Sequence, residues 1–125
     1  IAASGLRLLP RDLLKVGQLV LSGGAWQGRQ LVPADWVKKI TTAAIRIDER
    51  RDYGWHWYMG NVTAAGQTTP HRWIGGIGWG GQYLIVLPDL DLATVVNCGN
   101  YGKPGREQGR IVFTILMAVV LPLVG

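Results

Sequence analysis

The stretch Gln82-Tyr83-Leu84-Ile85-Val86-Leu87-Pro88-Asp89-Leu90-Asp91-Leu92-Ala93-Thr94-Val95-Val96-Asn97-Cys98 decides the fold. It holds two runs rich in β-branched and aromatic residues. Between them Pro88 stops the first run and Asp89-Leu90-Asp91 supplies a turn. Two such runs so closely joined predict an antiparallel hairpin. Neither run alternates apolar with polar residues, so both faces of the hairpin need cover.

Ile111 to Val124, broken only by Thr114 and Pro122, predicts a helix of about Arg106–Leu121 that covers one face. The apolar run is shorter than the roughly 18 residues of a membrane span, so no span is expected. Ahead of the hairpin, Tyr53-Gly54-Trp55-His56-Trp57-Tyr58-Met59 is aromatic and strand-like. Alternation along one strand would set Trp55 and Trp57 on one face and His56 on the other. Asn61 to His71 is predicted to be a loop. Its Asn61-Val62-Thr63 matches a glycosylation sequon, which has meaning only in a eukaryotic secretory context.

The first half is helical in pattern. Pro10 suits a first helical turn, with Asp12 beside it. Leu13, Val16, Leu19 and Val20 follow at helical spacing, and Gly23-Gly24 ends the helix near Ser22. Trp26 to Leu31 is a turn. Pro33 opens a second helix reaching residue 41, with Trp36, Val37 and Ile40 on one side, and Ala43 to Asp52 is an exposed loop. The whole is expected to be one partial domain over 1–125, mainly helical over 1–52 and sheet plus helix over 53–125. The fold class is α+β, an antiparallel sheet (53–59, 80–88, 91–98) flanked by helices.

Composition narrows the function classes. The 125 residues are 48% hydrophobic and 17% charged, enough apolar material for a core. The net charge is +5, but its Lys and Arg residues are scattered, unlike the clustered basic footprint of a nucleic-acid binder. Cys98, the one cysteine, cannot form an internal disulfide. It lies far along the chain from His56 and His71 with no ligand spacing, so no metal site is expected.

The cluster Gly75-Gly76-Ile77-Gly78-Trp79-Gly80-Gly81 is the most informative local feature. Gly76, Gly78 and Gly81 formally satisfy G-x-G-x-x-G, yet a dinucleotide fingerprint lies between a strand and a helix, whereas this one runs into a strand. Two readings stand level on residue type alone. Small residues serve a sharply turned strand, or they let a ligand approach the backbone and its N–H groups. Trp55, Trp57, Trp73 and Trp79 admit a carbohydrate-stacking platform, but large aromatics in such runs more often fill a core. His56 reads as a structural histidine, since no partner for it is evident.

The order of segments resembles a known group. Ser4-Gly5-Leu6-Arg7-Leu8-Leu9-Pro10-Arg11-Asp12-Leu13 comes first, then Gly23-Gly24-Ala25-Trp26-Gln27-Gly28-Arg29-Gln30-Leu31-Val32-Pro33-Ala34-Asp35-Trp36-Val37. The strand Tyr53 to Tyr58 follows, then Gly78-Trp79-Gly80-Gly81-Gln82 and Pro88-Asp89-Leu90-Asp91-Leu92. This succession, over nearly the whole chain, is similar to the C-terminal portion of class C β-lactamase-related serine hydrolases. That superfamily of β-lactamases and penicillin-binding proteins includes esterases, amide hydrolases and D-Ala-D-Ala peptidases.

The resemblance implies hydrolysis of an ester, amide or β-lactam through an acyl-enzyme, with no cofactor. The family's nucleophile and base come from Ser-x-x-Lys, a second proton-transfer group from Tyr-x-Asn, and a third motif, Lys-Thr-Gly or a variant, lines the site. Here Gly76-Ile77-Gly78 stands in place of the third motif, keeping only its last Gly, and is implied to bind substrate. The Trp79 backbone N–H corresponds to an oxyanion-hole donor. Ser4 is followed three residues on by Arg7 and Ser22 by Ala25, and no Tyr has Asn two residues later. The nucleophile is therefore expected on a segment upstream of Ile1. Without it, the chain is either the inactive C-terminal part of such an enzyme or a truncated homologue that acts as a binding or assembly module. Its expected partners are the missing N-terminal portion or a second copy. Export to the periplasm or beyond is the location that the resemblance favours.

Overall fold

The computed structural model describes residues 5–124. Ser4, the start of the first resembling stretch, lies outside them. The protein is α+β. Helix α1 (Pro10–Leu21) is followed by a small hairpin, β1 (Ala25–Trp26) and β2 (Arg29–Gln30), and by α2 (Ala34–Ile40). Six strands then form one antiparallel meander: β3 (Ile45–Arg46), β4 (Arg51–Gly54), β5 (Trp57–Thr63), β6 (Pro70–Gly78), β7 (Gln82–Leu87) and β8 (Leu92–Asn97). Helix α3 (Gly105–Ile115) continues through a wider turn (Leu116–Val120) and a final turn (Leu121–Val124).

Local chemistry explains the boundaries. Pro10 occupies the first turn of α1, and Lys15 Nζ reaches Asp12 Oδ1 at 2.7 Å beside it. The helix stops where Gly23 and Gly24 take left-handed φ values of 61° and 90°, and their N–H groups bond back to Val20 O and Leu19 O. The expected hairpin is present: β7 and β8 flank a 3₁₀ turn at Pro88–Leu90, and Asp91, at φ 48°, reverses the chain.

The single strand expected over 53–59 is two strands. Trp55 and His56 form the turn between β4 and β5 at φ 46° and 70°. Two consecutive positive φ values match the twist of a right-handed hairpin. Trp55, His56 and Trp57 therefore do not alternate along one strand. The sheet also begins ahead of residue 53, because β3 pairs with β4 inside the stretch expected as loop. The loop expected over 61–71 shrinks to 64–69, since β5 runs on to Thr63 and pairs with β6 from Pro70.

One face of the sheet packs under the C-terminal helix. Val62, Trp73, Tyr83, Ile85 and Leu87 meet Val112, Leu116 and Leu121 in the main core. The other face is not left bare, contrary to what a single covering helix implies. Helix α1 lies across it through Gly17, the one residue it buries. A Cβ on Gly17 would stand 2.9 Å from Ala93 Cβ and 3.0 Å from Leu84 Cδ1, so only glycine lets the helix approach this closely.

The C-terminal helix is longer than its apolar run. Gly105–Val124 spans 20 residues with hydropathy 1.6, long and apolar enough to cross a membrane by length and composition alone. In this fold Val112, Leu116 and Leu121 on its inner side are buried against the sheet.

Tyr83 allows a test of that core. Burial disfavours its phenolate and raises its pKa above 10.0, against an opposing pull from the Arg51 charge. With the folded value above the unfolded one, this contribution to stability is complete below pH 10 and is lost as pH rises through the folded value. Stability should therefore fall more steeply above pH 10 in the native chain than in Tyr83→Phe, read from denaturant midpoints. Parallel losses in the two proteins would contradict the assignment.

Candidate functional site

Between α1 and the end of β6 the second sheet face stays open as a cleft of about 400 Å³. Gly76, Ile77 and Gly78 form its floor. Leu84, the partner of Gly76 on β7, continues the sheet surface, and Leu13 and Val16 of α1 line the side beside it. His56 and Trp57 line the other side, and Gln82 lies at the end. The antiparallel register explains the assembly. Gly76 pairs with Leu84 and Gly78 with Gln82, while Tyr58 pairs with Gly75 and so brings the start of β5 alongside.

The glycines divide by what a side chain would meet. At Gly75 a Cβ would run into the Leu84 carbonyl, and at Gly78 it would lie 3.0 Å from the Gln82 carbonyl oxygen. Gly80 and Gly81 have φ values of 89° and 76° and sit against Tyr101 and Asn100. Four of the glycines thus have packing or backbone reasons. Gly76 has none: its φ is ordinary, and a Cβ there would find nothing within 4 Å. A glycine inside a strand weakens it, so a position with neither steric nor conformational need for glycine calls for another explanation. Here its effect is to keep the cleft floor bare.

The turn after β6 is held from behind. Gly80 N–H donates to Gln108 Oε1 at 2.7 Å, and Gln108 Nε2 donates to the Lys103 carbonyl at 2.7 Å. Gln108 is 2% exposed. Asn100 N–H and Cys98 N–H bond the carbonyls of Gly80 and Gly81, and Gln82 Nε2 donates to the Tyr101 hydroxyl. The Gly80 amide is therefore committed to Gln108. Trp79 lies beyond the cleft lining, with its side chain 64% exposed. Of the four residues singled out from sequence, the structure brings Gly76, Ile77 and Gly78 together in the cleft lining, which does not include Trp79.

Six residues of the lining lie outside the expected site, and three of them, His56, Leu13 and Val16, show why. His56, read as lacking a partner, has one: its Nδ1 lies 3.4 Å from the Tyr53 hydroxyl, and the two rings meet edge to face. Leu13 and Val16 enter from a helix whose tertiary position no local pattern encodes. The lining contains no Ser, Thr, Cys, Lys, Asp or Glu. It offers no hydroxyl, thiol, amine or carboxylate nucleophile, and His56 is its one titratable side chain. Among the described residues no group of three or more His, Cys, Asp and Glu is placed to hold a metal.

The tryptophans are less buried than their runs suggest. Trp73 is in the core, whereas Trp36, Trp55 and Trp79 are exposed. They do not make a flat platform: Trp36 and Trp55 are tilted by 56°, and Lys39 Nζ sits over both rings at 5.2 and 4.6 Å. That arrangement ties α2 to the β4–β5 turn through cation–π contacts. No protein-family model matches the sequence.

Proposed function

We propose that this chain is the substrate-binding C-terminal part of a serine hydrolase of the β-lactamase and penicillin-binding-protein type, one that cleaves an ester or amide through an acyl-enzyme. The observation that carries the reading is the cleft floored by Gly76-Ile77-Gly78, the stretch that the resemblance aligns with the family's third motif. In this reading the nucleophile and its base arrive on a Ser-x-x-Lys segment carried elsewhere, and β6 lies along the acyl group. Attack on the carbonyl makes an oxyanion, which backbone N–H groups such as that of Trp79 stabilise. Loss of the Lys and Thr side chains from the third motif favours ester or amide substrates over β-lactams.

A second reading has its own support. The cleft lining holds no Ser, Thr, Cys, Lys, Asp or Glu, which also suits a homologue retained as a binding or assembly module. Activity-based labelling separates the two. The chain alone should show no labelling by a fluorophosphonate or penicillin probe and no turnover of nitrophenyl esters. Joined to the coding sequence immediately preceding Ile1, it should be labelled at a serine of a Ser-x-x-Lys motif in the added part. A preceding sequence without that motif would overturn the hydrolase reading, and labelling of Ser4 or Ser22 would overturn the placing of the nucleophile outside this chain.

A further inference from the structure

We propose that the cleft binds a small neutral molecule carrying an apolar acyl group, that it rejects acyl groups bearing a carboxylate, and that His56 supplies a side-chain hydrogen bond to the ligand's carbonyl end. The proposal rests on the cleft being the substrate site of the hydrolase reading, and it names the substrate class. Three observations carry it.

The first is Gly76. Every other glycine of the 75–81 cluster is explained by a close neighbour or a positive φ, and Gly76 alone faces open space. The empty volume above it is the place where a flat acyl chain can lie against the strand backbone. The second is charge. Leu13, Val16, Trp57 and Leu84 are the apolar side chains of the lining, Ile77 packing its own side chain against the core on the other face, and no Lys, Arg, Asp or Glu lines the cleft. A carboxylate entering it loses water and gains no counter-ion, which is unfavourable wherever burial is appreciable. An uncharged chain loses nothing of the kind and gains apolar contact.

The third is the turn that presents His56. Trp55 and His56 both hold φ values that side-chain-bearing residues seldom adopt, at a place where Asn-Gly would be the relaxed choice. Strain of this sort persists where the surroundings over-determine it, and it clusters at ligand sites. Here the surroundings are the Lys39–Trp55 contact on one side and the Tyr53–His56 contact on the other. The remaining polar side chain of the cleft, Gln82, already donates to Tyr101. The Tyr53 contact uses His56 Nδ1, which leaves the Nε2 of His56 to meet a ligand's polar atom.

The test uses the whole chain and two probes it has no nucleophile to cleave: N-butylbutanamide, and N-butylsuccinamic acid, which adds a terminal carboxylate. Binding is followed by the shifts of the Gly76 and Gly78 amides and the Trp57 indole. The neutral amide should shift these signals and bind at least tenfold more tightly than the acid at pH 7.5. Gly76→Leu should weaken the neutral probe by tenfold or more, and His56→Leu by about threefold to tenfold, the range of one hydrogen bond. If Gly76→Leu does not fold by circular dichroism, His56→Leu and the comparison of probes decide the matter. Equal or tighter binding of the acid, shifts confined to other regions, or no binding of the neutral probe would each overturn the proposal. Labelling of the joined chain settles the hydrolase reading independently, so either can fail without the other.

Discussion

Gly17→Val is expected to destabilise the protein by about 3 kcal/mol, at the upper end of what overpacking a close contact costs. The reasoning is steric. The position lies in the middle of α1, directly over β7 and β8, and the nearest obstacle to a Cβ is the Cβ of Ala93, which has no rotamer to change. Valine adds two further methyls to that clash and disfavours the helix slightly. Helix α1 must then lift, and the side chains of Leu84 and Val86 beneath it become wet. A drop in melting temperature of roughly 10 °C is expected for a domain of this size. Gly17→Ala should show a smaller loss in the same direction. The control is Gly28→Ala: that glycine has no neighbour within 4 Å, so its cost comes only from its φ of 77°. If Gly17→Val melts with the native chain, α1 does not cover the second sheet face, and the wall formed by Leu13 and Val16 is lost with it.

That helix marks the boundary of what the residues disclose by themselves. Its ends were legible, because Pro10 and the Gly23-Gly24 pair act through local backbone geometry. Its destination was not. The leucines and valines of α1 say that one side is apolar, and nothing in their spacing says which sheet face receives them. The contact runs through a glycine, a residue that carries no hydrophobic signal. The β7–β8 hairpin was legible for the opposite reason. Its two runs and the intervening turn are contiguous, so pairing needs only local information.

The β4–β5 turn shows propensity misleading the reader. Tryptophan and histidine favour strands or are neutral, and the Asn-Gly signature of a two-residue hairpin turn is absent. The aromatic run therefore looked continuous. Its reversal is stabilised by tertiary contacts, namely Lys39 over Trp55 and Tyr53 against His56. The glycine cluster was half legible. Residue type left packing and ligand approach level. Only the positions of neighbouring atoms separate Gly75, Gly78, Gly80 and Gly81, which packing or backbone geometry requires, from Gly76, which neither requires.

Association is the second large effect expected: at micromolar concentration the chain should sediment as a species at least twice its 13.7 kDa. The cause is not a bare sheet face, since α1 lies on it. It is the apolar surface at three other places. Leu6 and Leu9, ahead of α1, are 78% and 70% exposed, and Leu123 at the far end of the C-terminal helix is 81% exposed. Strand β8 is the outer strand of the sheet, and Leu92-Ala93-Thr94-Val95-Val96-Asn97 contains neither a charge nor a proline to discourage another strand from pairing with it. The opposite edge, β3, is only two residues long and is followed by charged residues, so it offers little to pair with. We propose a second copy or the remainder of a longer protein as the partner, and a stable contact of either kind should bury on the order of 1,000 Å² or more. If β8 is the contact, half of its amides, those pointing away from β7, should exchange hydrogen slowly in the associated species and fast on dilution. A strictly monomeric chain that unfolds cooperatively in calorimetry at this concentration would show that the edge and the exposed leucines are tolerated in water, and it would remove the need for any partner to order the fold.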